Sequence, residues 1–148
     1  MPTLKEDLSF GTTSEHNLLD SLQSFLDTTL ERQGGFEVFD YTNPTKTIYV
    51  ELKTRRVKHD LYKTTLIGAN KIAYCSNPDV QYYFVFCFAD GIYYIKYDKD
   101  LFATFETKDD YYRTKREDCW NKRQTVVYIP VENLKRFEEP RNKVVYDA

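Results

Sequence analysis

The chain has 148 residues, a net charge of −2 and a pI near 5.7, which excludes a protein that coats nucleic acid through bulk positive charge, so any phosphate binding must be local. Thirteen Tyr and ten Phe exclude a disordered or low-complexity chain and point to a sheet-rich protein. The cysteines, Cys75, Cys87 and Cys119, are three in number and lack CxxC spacing, so neither a disulfide framework nor a structural zinc site is indicated and a reducing, intracellular compartment is expected.

No apolar run approaches the roughly 18 residues of a membrane span, and Met1 to Asp7 lacks the pattern of a signal peptide. We therefore expect one soluble domain over residues 1–148, with 1–11 loose. Thr12-Thr13-Ser14-Glu15 reads as a helix start, and Leu18, Leu19, Leu22, Phe25, Leu26 and Leu30 follow at helical spacing. This helix should run to about Arg32 and leave through Gln33-Gly34-Gly35. Phe36 to Tyr41 and Thr47 to Lys53 read as two antiparallel strands around the turn Thr42 to Lys46, which contains Asn43-Pro44.

A basic segment, Thr54 to Asp60, leads into a second helix expected from about Leu61 to Cys75, stopped by Ser76-Asn77-Pro78-Asp79. Val80 to Ala89 and Ile92 to Tyr97 form a hairpin about Asp90-Gly91. From Asp98 to Gln124 the pattern weakens to short helix or ordered loop. Thr125 to Ile129 is a last strand, and Pro130 opens a short helix. The fold class is α/β, with a mixed sheet flanked by helices.

Alternation along the second strand puts Tyr49, Glu51 and Lys53 on one face, and Ile48, Val50 and Leu52 on the other. Asp40 closes the preceding strand, so two carboxylates and a lysine converge. Hard oxygen donors on adjacent strands suit a divalent cation such as Mg²⁺. A lysine beside them is placed to act on an attacking water or on developing charge. The competing explanation is a cross-strand ion pair on a solvated face, since the D-x(10)-E-x-K string is short and permissive.

Asp40 with Glu51-x-Lys53, after a helix carrying Glu15 and before a basic turn and helix, resembles the PD-(D/E)xK nuclease superfamily over roughly Thr12 to Phe88. Its Holliday-junction-resolvase-like and viral endonuclease-like members come nearest. The resemblance implies a restriction-endonuclease-like αβββαβ core and Mg²⁺- or Mn²⁺-dependent cleavage of nucleic-acid phosphodiesters. It makes Asp40, Glu51, the Leu52 carbonyl and Glu15 metal ligands and gives Lys53 the attacking water. Phe39 stands in place of the name-giving proline, and the strand usual before the Asp strand is not visible between Gly35 and Asp40.

Glu15 also reads as the last residue of a capping box begun by Thr12. Against that, it continues the apolar face of Leu18, Leu19 and Leu22, where a carboxylate needs a partner. Viral cap-snatching endonucleases of the same superfamily use a histidine on the first helix, which makes His16 the rival ligand. It sits about 100° around the helix from Glu15, on the solvated side.

Arg55, Arg56 and Lys58 belong to the densest basic run of an acidic chain, placed to neutralise phosphates beside the cleaved bond, with Lys71 on the second helix as a weaker contact. The aromatic strand from Tyr82 to Phe88 is expected as sheet core. The expected function is a metal-dependent endonuclease acting on DNA in preference to RNA. The alternative is a catalytically inactive nucleic-acid-binding or assembly module on the same fold. Nucleases of this kind often dimerise, and the aromatics between Leu101 and Trp120 would supply an interface.

Overall fold

A computed structural model describes residues 18–112 and 123–137. Helix α1 (residues 18–26) leads to β1 (Glu31–Arg32), β2 (Tyr41–Thr42), β3 (Ile48–Thr54), β4 (Thr64–Gly68) and α2 (Ala69–Tyr74). Strands β5 (Gln81–Phe88) and β6 (Gly91–Lys96), helix α3 (Lys99–Phe102), β7 (Thr107–Tyr112) and β8 (Arg123–Pro130) follow. A 3₁₀ turn at Val131–Asn133 and β9 (Lys135–Arg136) complete the described chain. The fold is mixed α/β, as expected. Among the described residues no helix is long and apolar enough to cross a membrane.

Two sheets share the strands. One has the order β1-β2-β3-β5-β6-β9, and the other β4-β8-β7. At the centre of the larger sheet β3 runs parallel to β5 in seven-residue register, with Glu51 beside Phe84 and Lys53 beside Phe86. A parallel pair needs a crossover connection, and residues 55–80 supply it by carrying β4 and α2 across one face. The expected alternation of β3 holds. Ile48 and Val50 pack with Leu18 and Leu22 of α1, whereas Tyr49 enters an aromatic cluster with Phe39, Tyr82, Phe84 and, from the second sheet, Ile67 and Ile129.

Four expectations are corrected. Helix α1 ends at residue 26 rather than near Arg32, because Asp27 takes the left-handed conformation (φ 53°) that terminates helices. The Gln23 side chain then accepts the Leu30 amide at 2.8 Å, turning Leu30 into the core. The strand expected over Phe36 to Tyr41 shrinks to Tyr41–Thr42. Gln33 holds the preceding segment as a turn, its amide on the Asp40 carbonyl at 2.8 Å and its side chain on the Phe39 carbonyl at 2.9 Å.

The helix expected from Leu61 to Cys75 is helical only over Ala69–Tyr74. Its first part is β4, paired antiparallel with β8 from Thr64↔Pro130 to Gly68↔Val126. β-branched Thr65 and Ile67 are buried on one side of that strand, a period of two within what read as a helical run. Beyond Asp98, which caps α3 by accepting from Asp100 and Leu101, the mixed-charge segment contains the unforeseen strand β7. Cys119 and Trp120 lie outside the described residues.

Phe39 is the packing link between the turn and the sheet. It is 1% exposed and contacts the rings of Tyr49, Tyr74, Tyr82 and Phe84 at 5.5–5.9 Å. Truncating a buried Phe removes its transfer energy and leaves a cavity. Phe39→Ala should therefore cost about 3–5 kcal/mol of stability in urea denaturation. Because Asp40 is the next residue, the same change should weaken Mn²⁺ binding measured by calorimetry on the folded protein.

Candidate active site

Glu51 is the centre of the site. Its position on β3 directs it to the aromatic side of the sheet, where it is 1% exposed. A carboxylate there is costly unless opposite charge meets it. Lys71 on α2 brings its ammonium to 2.6 Å from Glu51 Oε2 and donates to the Val38 carbonyl, while Lys53 Nζ stands 3.9 Å from the same oxygen. Lys71 is thus the close partner of the buried Oε2.

Asp40 reaches the same place from the turn. Its Oδ2 accepts the Leu52 amide at 2.9 Å, which locks the carboxylate across the strand pair beside Glu51. Burial first, and then the adjoining Asp40, raise the Glu51 pKa to about 7; Lys71 and Lys53 oppose the shift. Burial likewise lowers the Lys53 pKa, and Glu51 resists that change. Both groups are thus shifted toward neutrality.

Lys53 and Lys71 also line a cleft of about 690 Å³ between the two sheets. Arg55, Arg56 and Lys58 line it as well, and the lining holds no Asp or Glu. The basic loop is held in place by the neighbouring strand. The Arg55 amide donates to the Cys87 carbonyl at 2.9 Å, and the Ala89 amide to the Val57 carbonyl at 2.9 Å. Asp90 accepts the His59 amide through Oδ1 at 2.8 Å and meets His59 Nδ1 through Oδ2 at 2.6 Å. Arg55 itself is committed to the Leu66 carbonyl at 2.9 Å, leaving Arg56 and Lys58 as the exposed cations of the lining.

The structure therefore brings Asp40, Glu51 and Lys53 together and sets Arg55, Arg56 and Lys58 along the adjoining cleft. Leu52 joins through its amide. Glu15 and His16 lie outside the described residues. Sequence reasoning gave Lys71 a peripheral role and missed its pairing with Glu51; the available signal was Tyr74 and Cys75, three and four residues on, which share its face and join the core.

The pairing of His59 with Asp90 was also missed. His59 stacks on Tyr93 at 4.3 Å, and His59, Asp60 and Asp90 bring ligand atoms within 4.8 Å of one another. Although that spacing suits a cation, His59 and Asp90 already satisfy each other and Asp60 is exposed. Asp40 and Glu51 offer a hard divalent ion two adjoining carboxylates.

The family described as "Phage putative PDDEXK endonuclease" matches residues 11–137. The chain belongs to this family. The match extends past β3 through the basic loop, α2, β8 and β9, so the PDDEXK assignment covers both sheets as well as the Asp40 and Glu51-x-Lys53 signature. Among curated proteins nothing matches the chain.

Two outcomes follow from Glu51. Between its ordinary value of 4.5 and about 7 the folded protein holds a proton that the unfolded chain releases. Stability in chelator should therefore fall as pH rises through that window, by up to about 3 kcal/mol, and Glu51→Gln should abolish this component in urea titrations. Because Lys71 lowers the Glu51 pKa, Lys71→Met should move it above about 7, as read by carboxyl-carbon NMR titration.

Proposed function

We propose that this PDDEXK family member is a Mg²⁺- or Mn²⁺-dependent endonuclease that hydrolyses phosphodiester bonds of nucleic acid, with DNA the first polymer to test. One observation carries the reading: Asp40 and Glu51 meet Lys53 and Lys71, and those two lysines in turn line a cleft with Arg55, Arg56 and Lys58 in a chain of net negative charge. Such a cleft attracts a polyanion locally.

In this reading Asp40 and Glu51 hold the ion, with the Leu52 carbonyl and Glu15 as further ligands. When bound, a divalent cation polarises phosphoryl oxygen and water. Lys53, its ammonium destabilised by burial, holds or passes a proton at Nζ beside the attacked phosphate. Lys71 fixes the Glu51 carboxylate and is available to the developing phosphorane charge. Arg56 and Lys58 hold flanking phosphates, and Arg55 braces the loop that carries them.

A second reading, a nucleic-acid-binding or assembly module without catalysis, is favoured by the Lys71 pair itself, because an ammonium at 2.6 Å neutralises Glu51 without any metal. Mn²⁺ calorimetry separates the two, since the catalytic site must take the ion. The direct assay incubates plasmid, branched DNA and RNA with Mg²⁺ or Mn²⁺, with and without chelator. We expect metal-dependent cuts that fall at least about a hundredfold in Glu51→Ala and in Lys53→Ala. Cleavage that persists in chelator or survives both substitutions would overturn the assignment.

A further inference from the structure

Most large apolar side chains of the described residues are buried, and the exposed ones are Phe25, Phe36, Leu61, Tyr62 and Leu101. Phe25 is accounted for by edge-on packing against Tyr94 and Phe137. Phe36 and Tyr62 make no ring contact among the described residues; Tyr62 lines the cleft, and Phe36 lies on the turn that leads to Asp40. Phe36 is fully exposed, in the turn that follows Gly34-Gly35 and two residues before Val38, whose carbonyl receives Lys71. Tyr62 is 64% exposed and forms part of the cleft wall, on the same loop as Arg56 and Lys58.

We propose that the cleft takes an unpaired polynucleotide strand, with bases on either side of the reacting phosphate stacked on Tyr62 and Phe36. The inference rests on the nuclease reading of the site and names its substrate class. Three features of the geometry support it. First, cations tracking a backbone together with exposed aromatic faces are the chemistry by which proteins hold single strands. Exposed rings cost an isolated protein free energy in water, and a base offers each of them an apolar face.

Second, a space of about 690 Å³ lies in the range that encloses one compact ligand, on the order of one or two nucleotides. In a duplex the bases are held in their stack, so none can enter that space until it is unpaired. Third, the Glu51 carboxylate is buried and Lys53 is only partly exposed, so a phosphate must descend to reach them. An unpaired strand bends to do so at lower cost, because no stacked partner has to be opened.

Fluorescence anisotropy on the full chain tests this, with labelled oligo-dT, oligo-rU and a blunt duplex of the same length in chelator, so that binding is read without cleavage. Single strands should bind roughly tenfold more tightly than the duplex. Tyr62→Ala and Phe36→Ala should each weaken strand binding by roughly tenfold, whereas Tyr62→Phe should retain it and duplex affinity should not move. The dT and rU arms show which polymer the cleft accepts, and preference for either supports the proposal. Equal or tighter duplex binding, or unchanged strand affinity in Tyr62→Ala, overturns it. If such a protein still cuts duplex in Mn²⁺, the nuclease reading stands alone; if no oligonucleotide binds in chelator and none is cut in Mn²⁺, both readings fall.

Discussion

A carboxylate kept out of water between two lysines is the constraint around which this protein is arranged. Glu51 occupies the middle of a central strand, beside Phe84, in a position that an apolar residue would fill at no electrostatic cost. Its charge is tolerated only because Lys71 and Lys53 approach from different elements, against the opposing carboxylate of Asp40. Burial still dominates, and the carboxyl is raised toward neutrality. Such an arrangement stabilises the fold poorly, yet it prepares a strong local field for a cation or a phosphate.

The rest of the architecture keeps those groups in place. Parallel pairing of β3 with β5 requires a long crossover, and that crossover delivers both the basic loop and Lys71 to the same side of the sheet. The loop is not left to itself. Backbone hydrogen bonds to Cys87 and Val57 extend the β3–β5 alignment, and Asp90 grips His59 at the end of the β5–β6 hairpin. The Asp90 carboxyl, held below its usual range chiefly by the His59 hydrogen bond, keeps its charge as part of this anchor. Positive charge is thereby concentrated in one cleft of an acidic protein, which favours a specific encounter over general adhesion to polyanions.

The family match spans the three residues that the geometry brings together, Asp40, Glu51 and Lys53. The structure adds Lys71. With two lysines on one carboxylate, the charge of Glu51 is compensated whether or not an ion is bound. The fourth position also explains why α2 begins where it does: β4 must end at Gly68 for the first turn of the helix to present Lys71 to the site.

What the amino-acid sequence determined by itself was the part written in short-range periods. Alternation along Ile48 to Lys53 set which side chains share a face, and the Asp90-Gly91 turn set the β5–β6 hairpin, with Gly91 at a φ of 152° that favours glycine. Both depend on local backbone geometry, so both can be read without a fold. The turn before Asp40, the split of residues 61–75 into β4 and a short helix, and strand β7 depended on partners distant in the chain. Phe39 left the strand pattern for an aromatic cluster, Thr65 and Ile67 found β8, and the mixed charge of Thr107–Tyr112 concealed an edge partner for the same strand. Tertiary structure alone decided that Lys71 meets Glu51, because a contact across twenty residues of sequence follows from packing and not from spacing.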